Sequence, residues 1–184
     1  GGEAVQNSKA GGERNSEGVG IELWVASMKE LREAKGQMLR REVQLNKDEG
    51  KKKRIRQILL ILKGGKVQAM DGRCFHAGAP LEMGDIEDFC GRTCIRCPWH
   101  SYRIDIETGE HIHVVHTMTS LKMKSMGVRQ RTHSVRVDKE KGDIYITLKT
   151  SVLNEKSNEE DEIESDGYAT KPDNDPPKEI TISF

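Results

Sequence analysis

Two short stretches, Cys74-Phe75-His76 and Cys97-Pro98-Trp99-His100, separated by twenty residues, have the side chains and spacing to do chemistry. Each presents one thiol and one imidazole, so together they offer two thiolates and two neutral nitrogens. Such donors hold iron or zinc rather than magnesium or calcium. A closed zinc site of two Cys and two His is the plain alternative, although zinc modules usually carry their pairs at knuckle or finger spacing in smaller folds. Cys94-Ile95-Arg96-Cys97 also has the form of a redox Cys-x-x-Cys. The alternation Thr93, Cys94, Ile95, Arg96 reads instead as a strand entering the second loop, so Cys90 and Cys94 are expected not to be ligands. His111, His113 and His116 are a further candidate, since the first two share a strand face and His116 points away. Exposed strand histidines are the expectation there.

The elements that must position these loops are short. Ile21, Leu23 and Val25 alternate with polar or amphipathic neighbours as on a first strand. Ser27-Met28-Lys29-Glu30 has the form of a capping box and Gly36 of a C-terminal stop, which predicts one short helix over about residues 28–35. Met38 to Leu45, interrupted by Arg40-Arg41, and Ile55 to Leu62 read as a hairpin around the polar turn Asn46 to Gly50. Gly64-Gly65 signals a second tight turn, and Val67 to Met70 delivers the chain to Cys74. Beyond His100, strands are expected at Tyr102 to Ile106, His111 to Val115, Ser134 to Val137 and Ile144 to Leu148, with residues 117–133 as a long basic loop. Short strands at near-regular spacing argue for an all-β sandwich or barrel.

The flanks are of another composition. Residues 1–18, rich in Gly, Ser, Asn and Glu, bury too little to offset the entropy of ordering and are expected to be disordered. Residues 151–184 hold ten acids and three lysines, a net charge of -7, against +7 on residues 1–150, and read as an acidic, largely disordered tail after a domain spanning 19–150. The run Lys51-Lys52-Lys53-Arg54 is expected to be a solvated hairpin tip, with no nucleic acid as partner. With 33% charged residues and no apolar run beyond Ile58 to Leu62, no membrane span is expected. Four cysteines are too few for a disulfide scaffold and suit a reducing, intracellular compartment, the cytoplasm being favoured. The chain starts Gly1-Gly2 without an initiator Met, in the manner of a processing scar, so an organelle stays open if a targeting segment was removed.

The ligand pattern resembles that of the Rieske iron-sulfur family, Cys-x-His followed at a distance by Cys-x-x-His, at all four positions. The first loop continues Ala77-Gly78-Ala79-Pro80-Leu81 in the family's manner, and the stretch from Ile21 to Leu148, with Gly84 to Phe89 and Gly142 to Leu148, is similar to small soluble Rieske-domain proteins of animals. The resemblance implies an all-β fold, a Rieske-type antiparallel β-sandwich or barrel with a small two-loop cluster-binding subdomain. It implies one [2Fe-2S] cluster held by Cys74, His76, Cys97 and His100, the thiolates on one iron and the imidazoles on the other.

Departures from the family place the chain within it. High-potential members carry a disulfide between the loops where this chain has Ala79 and Trp99, and a Ser and a Tyr donating to sulfur where it has Tyr102 and Ile104; Ser101 is a neighbouring hydroxyl. With fewer donors aimed at sulfur, a low-potential, ferredoxin-like carrier is implied. Gly78, Pro80 and Pro98 would shape the loops, and Trp99 and Leu81 would exclude water. The implied partners are a reductase and an electron acceptor, met by a monomer at His76 and His100 and steered by Lys122 and Lys124. A complete oxygenase is not expected, because no histidine follows residue 150. The rival reading is a zinc-stabilised interaction module.

Overall fold

The computed structural model describes residues 20–45, 54–116, 121–149 and 163–170. The chain runs β1 (Gly20–Ser27), helix α1 (Met28–Glu33), β2 (Met38–Gln44), β3 (Ile55–Lys63), β4 (Lys66–Asp71), β5 (Asp85–Phe89), β6 (Arg92–Arg96), β7 (Arg103–Asp105), β8 (Glu110–His116), β9 (Leu121–Val128), β10 (Thr132–Val137), β11 (Asp143–Lys149) and a helical turn α2 (Asp166–Ala169). The strands form a six-stranded sheet in the order β1-β11-β10-β4-β3-β2 and a five-stranded sheet in the order β5-β6-β7-β8-β9. Every pairing within them is antiparallel. The all-β expectation holds.

β3 joins the two halves of the core. Its alternation sends Ile58, Leu60 and Leu62 into one cluster with Val25, Leu31, Ile144, Ile146 and Leu148, and Leu59 and Ile61 into another with Met70, Cys74, Leu81, Ile95, Cys97 and Ile104. A strand buried on both faces reads as a continuous apolar run, which is what Ile58 to Leu62 is. The second cluster is also the floor of the two loops. Anchoring the sulfurs in the same core as Leu59 and Ile61, each burying about 1.5–3 kcal/mol of side chain, ties loop geometry to the fold.

Helix α1 forms as its capping box predicts. The Ser27 amide donates to Glu30 Oε2 at 2.7 Å, the Glu30 amide donates to Ser27 Oγ at 3.3 Å, and Leu31 is buried beneath. The arginines that interrupt β2 are used: Arg41 donates to Val25 O at 3.1 Å and pairs with Glu30, and Arg40 pairs with Glu82 at 3.0 Å.

Two expectations change. Residues 121–128, expected within a loop, form β9, the edge strand beside β8. The Leu-Lys-Met-Lys-Ser-Met alternation is a strand period, and lysines on an edge strand deter further pairing; the basic content obscured it. A second α-helical element, α2, joins the one expected. It lies inside the acidic tail, where Ser165 and Ala169 are fully buried. The turn Asn46 to Gly50, the Lys51 to Arg54 run short of Arg54, and residues 1–18 fall outside the described residues. No helix among those described is long and apolar enough to cross a membrane.

Candidate metal centre

The first loop links β4 to β5 and the second links β6 to β7. In the first, the Cys74 amide donates to Ala79 O at 2.9 Å, the Gly78 amide to Cys74 O at 2.8 Å, and the Leu81 amide to Gly72 O at 2.9 Å. In the second, the Cys97 amide donates to Tyr102 O at 2.8 Å and the Ser101 amide to Cys97 O at 3.0 Å. Each loop thus closes on itself, with a cysteine facing the core.

Cys74 and Cys97 come together, both buried, and their sulfurs hydrogen bond to one another. That bond, and then burial, push the Cys74 thiol far up; the same bond holds the Cys97 thiol down against its burial, helped by the amides of His100 and Trp99. The His76 and Ala77 amides donate to Cys74 in the same way. Two neighbouring buried cysteines with backbone N–H groups beside their sulfurs are suited to bind a metal as thiolates.

His76 and His100 also meet. Their Nδ1 atoms are 3.3 Å apart and their rings stand at 89°. Two nitrogens bound to one tetrahedral ion at about 2.0–2.1 Å stand roughly 3.3–3.4 Å apart, so the imidazoles are set to share an ion through Nδ1. Burial and the neighbouring His100 charge lower the His76 pKa, which favours the neutral, ligating form. Among the described residues no three His, Cys, Asp or Glu side chains gather as they would about a single ion. The candidate donors fall into a buried pair of cysteines and a more exposed pair of histidines.

Around this set the structure places the other expected residues. Leu81 is fully buried and seals the floor, but Trp99 is 37% exposed and does not. Cys90 is exposed and Cys94 buried, both unpaired, and neither joins the sulfur pair. Ala79 and Ile104 are buried without a polar side-chain atom to offer. Tyr102 stands edge-on between His76, at 4.6 Å, and His111, at 4.8 Å. His111, expected at the surface, is therefore half-buried against Tyr102 and Phe75, whereas His113 is exposed. The His116 side chain lies outside the described residues. Lys124 pairs in register with His113 and Lys122 with Val115, both exposed on the outer strand.

Beneath the first loop lies a buried polar network that the sequence did not signal. Asp71 accepts from Arg56 at 2.8 and 2.7 Å, from Ser165 Oγ at 2.5 Å, and contacts His133 Nε2 at 3.0 Å. Gln130, fully buried, donates to Asp71 O and Arg73 O at 2.9 and 2.8 Å and accepts from the Phe75 amide at 2.9 Å. Arg73 donates to Gln57 and to Gly78 O, both at 2.9 Å. Apart from Arg73 and Gly78, which are 5 positions apart, these contacts join residues 15 to 94 positions apart, a separation no local pattern reports.

Residues 39–151 match the profile of the soluble Rieske-type ferredoxins. A human Rieske domain-containing protein is 45% identical over 119 residues, 62% of this chain and 69% of that one. Aminopyrrolnitrin oxygenase PrnD of Pseudomonas fluorescens is 37% identical over 71 residues, 37% of this chain and 18% of the oxygenase. Among solved structures, NdmA of Pseudomonas putida CBB5 with theobromine superposes with a TM-score of 0.50 at 22% identity, over 71% of this chain and 34% of that one. Profile, relative and fold agree with the paired loops, and the chain belongs to the family of soluble Rieske-type ferredoxins.

Proposed function

We propose that this chain is a one-electron carrier whose Cys74, His76, Cys97 and His100 hold a single [2Fe-2S] cluster, relaying electrons from a reductase to an oxygenase or another redox acceptor. The observation that carries the reading is the 3.3 Å approach of the two imidazole Nδ1 atoms together with a buried, hydrogen-bonded pair of sulfurs. When bound, such a cluster supplies reversible one-electron chemistry. The chain's own groups set its terms. Two thiolates and two neutral imidazoles carry half the negative charge of four thiolates, so an electron is accepted more readily, at roughly -150 to +300 mV against about -400 mV for plant-type ferredoxins.

Within that range the low end is favoured. The family's extra hydroxyl donors are replaced by Tyr102, whose ring packs on His76, and by the buried hydrocarbon of Ile104. No disulfide joins the loops at Ala79 and Trp99. The amides of His76, Ala77, Trp99 and His100 are the donors that remain for sulfur. Cys74 and Cys97 sit in the dry core, while His100 is exposed and His76 half-exposed, so the imidazole edge is where a partner exchanges electrons with the monomer. Unpaired cysteines at all four positions suit a reducing intracellular compartment.

Anaerobic purification should yield a red-brown protein with two irons and two acid-labile sulfides per chain and a paramagnetic signal only on reduction. A colourless chain binding one zinc would replace this reading with that of a zinc-stabilised interaction module.

A further inference from the structure

The first loop is held from the far end of the chain. Residues 163–170 lie against the segment that leads into β10 and against the loop: the Ser165 amide donates to Arg129 O at 3.2 Å, and Ser165 Oγ accepts from the Arg131 amide at 2.9 Å while donating to Asp71. Asp166 accepts from Arg131 at 2.8 and 2.6 Å and pairs with Arg56 as well. The guanidinium groups are almost wholly buried, with side-chain exposures of 4% for Arg56 and 6% for Arg131, so these bonds escape the solvent screening that weakens surface pairs. Two residues on, Tyr168 reaches the loop. Its hydroxyl donates to His76 O at 3.2 Å, and its ring lies over Gly78, where a Cβ would stand 2.8 Å from Tyr168 Cδ1. Arg73 holds the Gly78 carbonyl in turn.

We propose that residues 163–170 are a clamp, anchored by Ser165 and Asp166, and that Tyr168 is a positioning residue that fixes the His76 segment of the first loop. This rests on the reading of Cys74, His76, Cys97 and His100 as cluster ligands and extends it. The clamp holds the first loop to the body of the domain. The His76 backbone is the atom group it grips, so its release changes both the retention of the cluster and the orientation of one imidazole.

The experiment compares the full chain with Tyr168→Phe and Tyr168→Ala, leaving the Asp166 anchor intact. Loss of the hydroxyl alone is expected to speed iron release to a chelator about fivefold, the worth of one hydrogen bond of about 1 kcal/mol. Loss of the ring is expected to speed it at least tenfold and to shift the midpoint potential and the paramagnetic spectrum, with thermal unfolding little changed. Amide exchange at Gly78 should accelerate at least fivefold in Tyr168→Ala, while amides of β3 and β4 keep their protection. Release rates, potential and Gly78 exchange equal to the parent's would overturn the clamp. The exchange measurement also reads the loop in a chain without iron, so failure to assemble a cluster would reject the functional reading and still leave the clamp upheld or refuted.

Discussion

Gly78 and Ser101 occupy the same position in two loops built on one plan. Each is four residues beyond a buried cysteine, each donates its amide to that cysteine's carbonyl, and each has a positive φ, 74° at Gly78 and 58° at Ser101. Each closes a turn whose two preceding amides, of His76 and Ala77 in one loop and of Trp99 and His100 in the other, lie beside the cysteine sulfur. Only at Gly78 does a neighbour, Tyr168, also occupy the space of a Cβ.

The two positions therefore respond oppositely. Ser101→Gly removes the strain of a non-glycine residue at positive φ and should raise stability by up to about 1 kcal/mol. Gly78→Ala adds that strain and a 2.8 Å contact with the Tyr168 ring, and should cost about 2 kcal/mol or more. Denaturant unfolding of both variants against the parent measures the pair.

Acid should loosen the floor of the first loop. Burial alone would raise the Asp71 carboxyl, but the Arg56 charge and the His133 bond outweigh it and bring its pKa down to about 2. A carboxyl depressed on folding contributes stability that is complete above its unfolded pKa, near 4, and is lost as pH falls through the folded value. The contribution is about 2 kcal/mol, with about half gone at pH 3. Urea unfolding at pH 5 and pH 3 should show a larger loss in the parent than in Asp71→Asn, which should be the less stable protein at neutral pH.

The imidazole pair should set the potential. Replacing both, His76→Cys with His100→Cys, doubles the negative charge of the donor set, and the midpoint potential should fall toward roughly -400 mV if the cluster assembles. Voltammetry of the two proteins, with iron and sulfide counted, gives the comparison. A retained parent-like potential would mean that His76 and His100 are not ligands.

Proton and electron should be coupled at the same edge. With the two Nδ1 atoms facing each other, each ring keeps a second nitrogen, and an oxidised centre would favour loss of its proton more than a reduced one. The midpoint potential should therefore be flat in acid and decline in alkali by about 59 mV per pH unit for each proton coupled. A potential independent of pH up to about 10 would argue against coupling at either ring.

Local chemistry made part of this protein legible before folding. Cys74, His76, Cys97 and His100 announced a candidate metal site by type and spacing, the Ser27 to Glu30 capping box fixed the start of α1, alternation marked β1, and a continuous apolar run marked β3. β9 was missed because its lysines outweighed its period, and Trp99 was expected to shield a site that it leaves at the surface. These are conflicts within a few neighbouring residues.

The polar floor is a different matter. Nothing in the neighbourhood of Asp71, Gln130, Arg131, Ser165 or Asp166 distinguishes them from solvated residues, since their meaning lies in partners from β3, β4, β10 and the acidic tail. The sequence by itself determined the candidate donor set and the β-rich scaffold, because ligand type and hydrophobic period act over one or two turns of chain. Only the tertiary structure decided that Nδ1 of His76 meets Nδ1 of His100, and that Tyr168 closes on Gly78 from 90 residues away, because burial of a charge network depends on which distant segments the fold brings together.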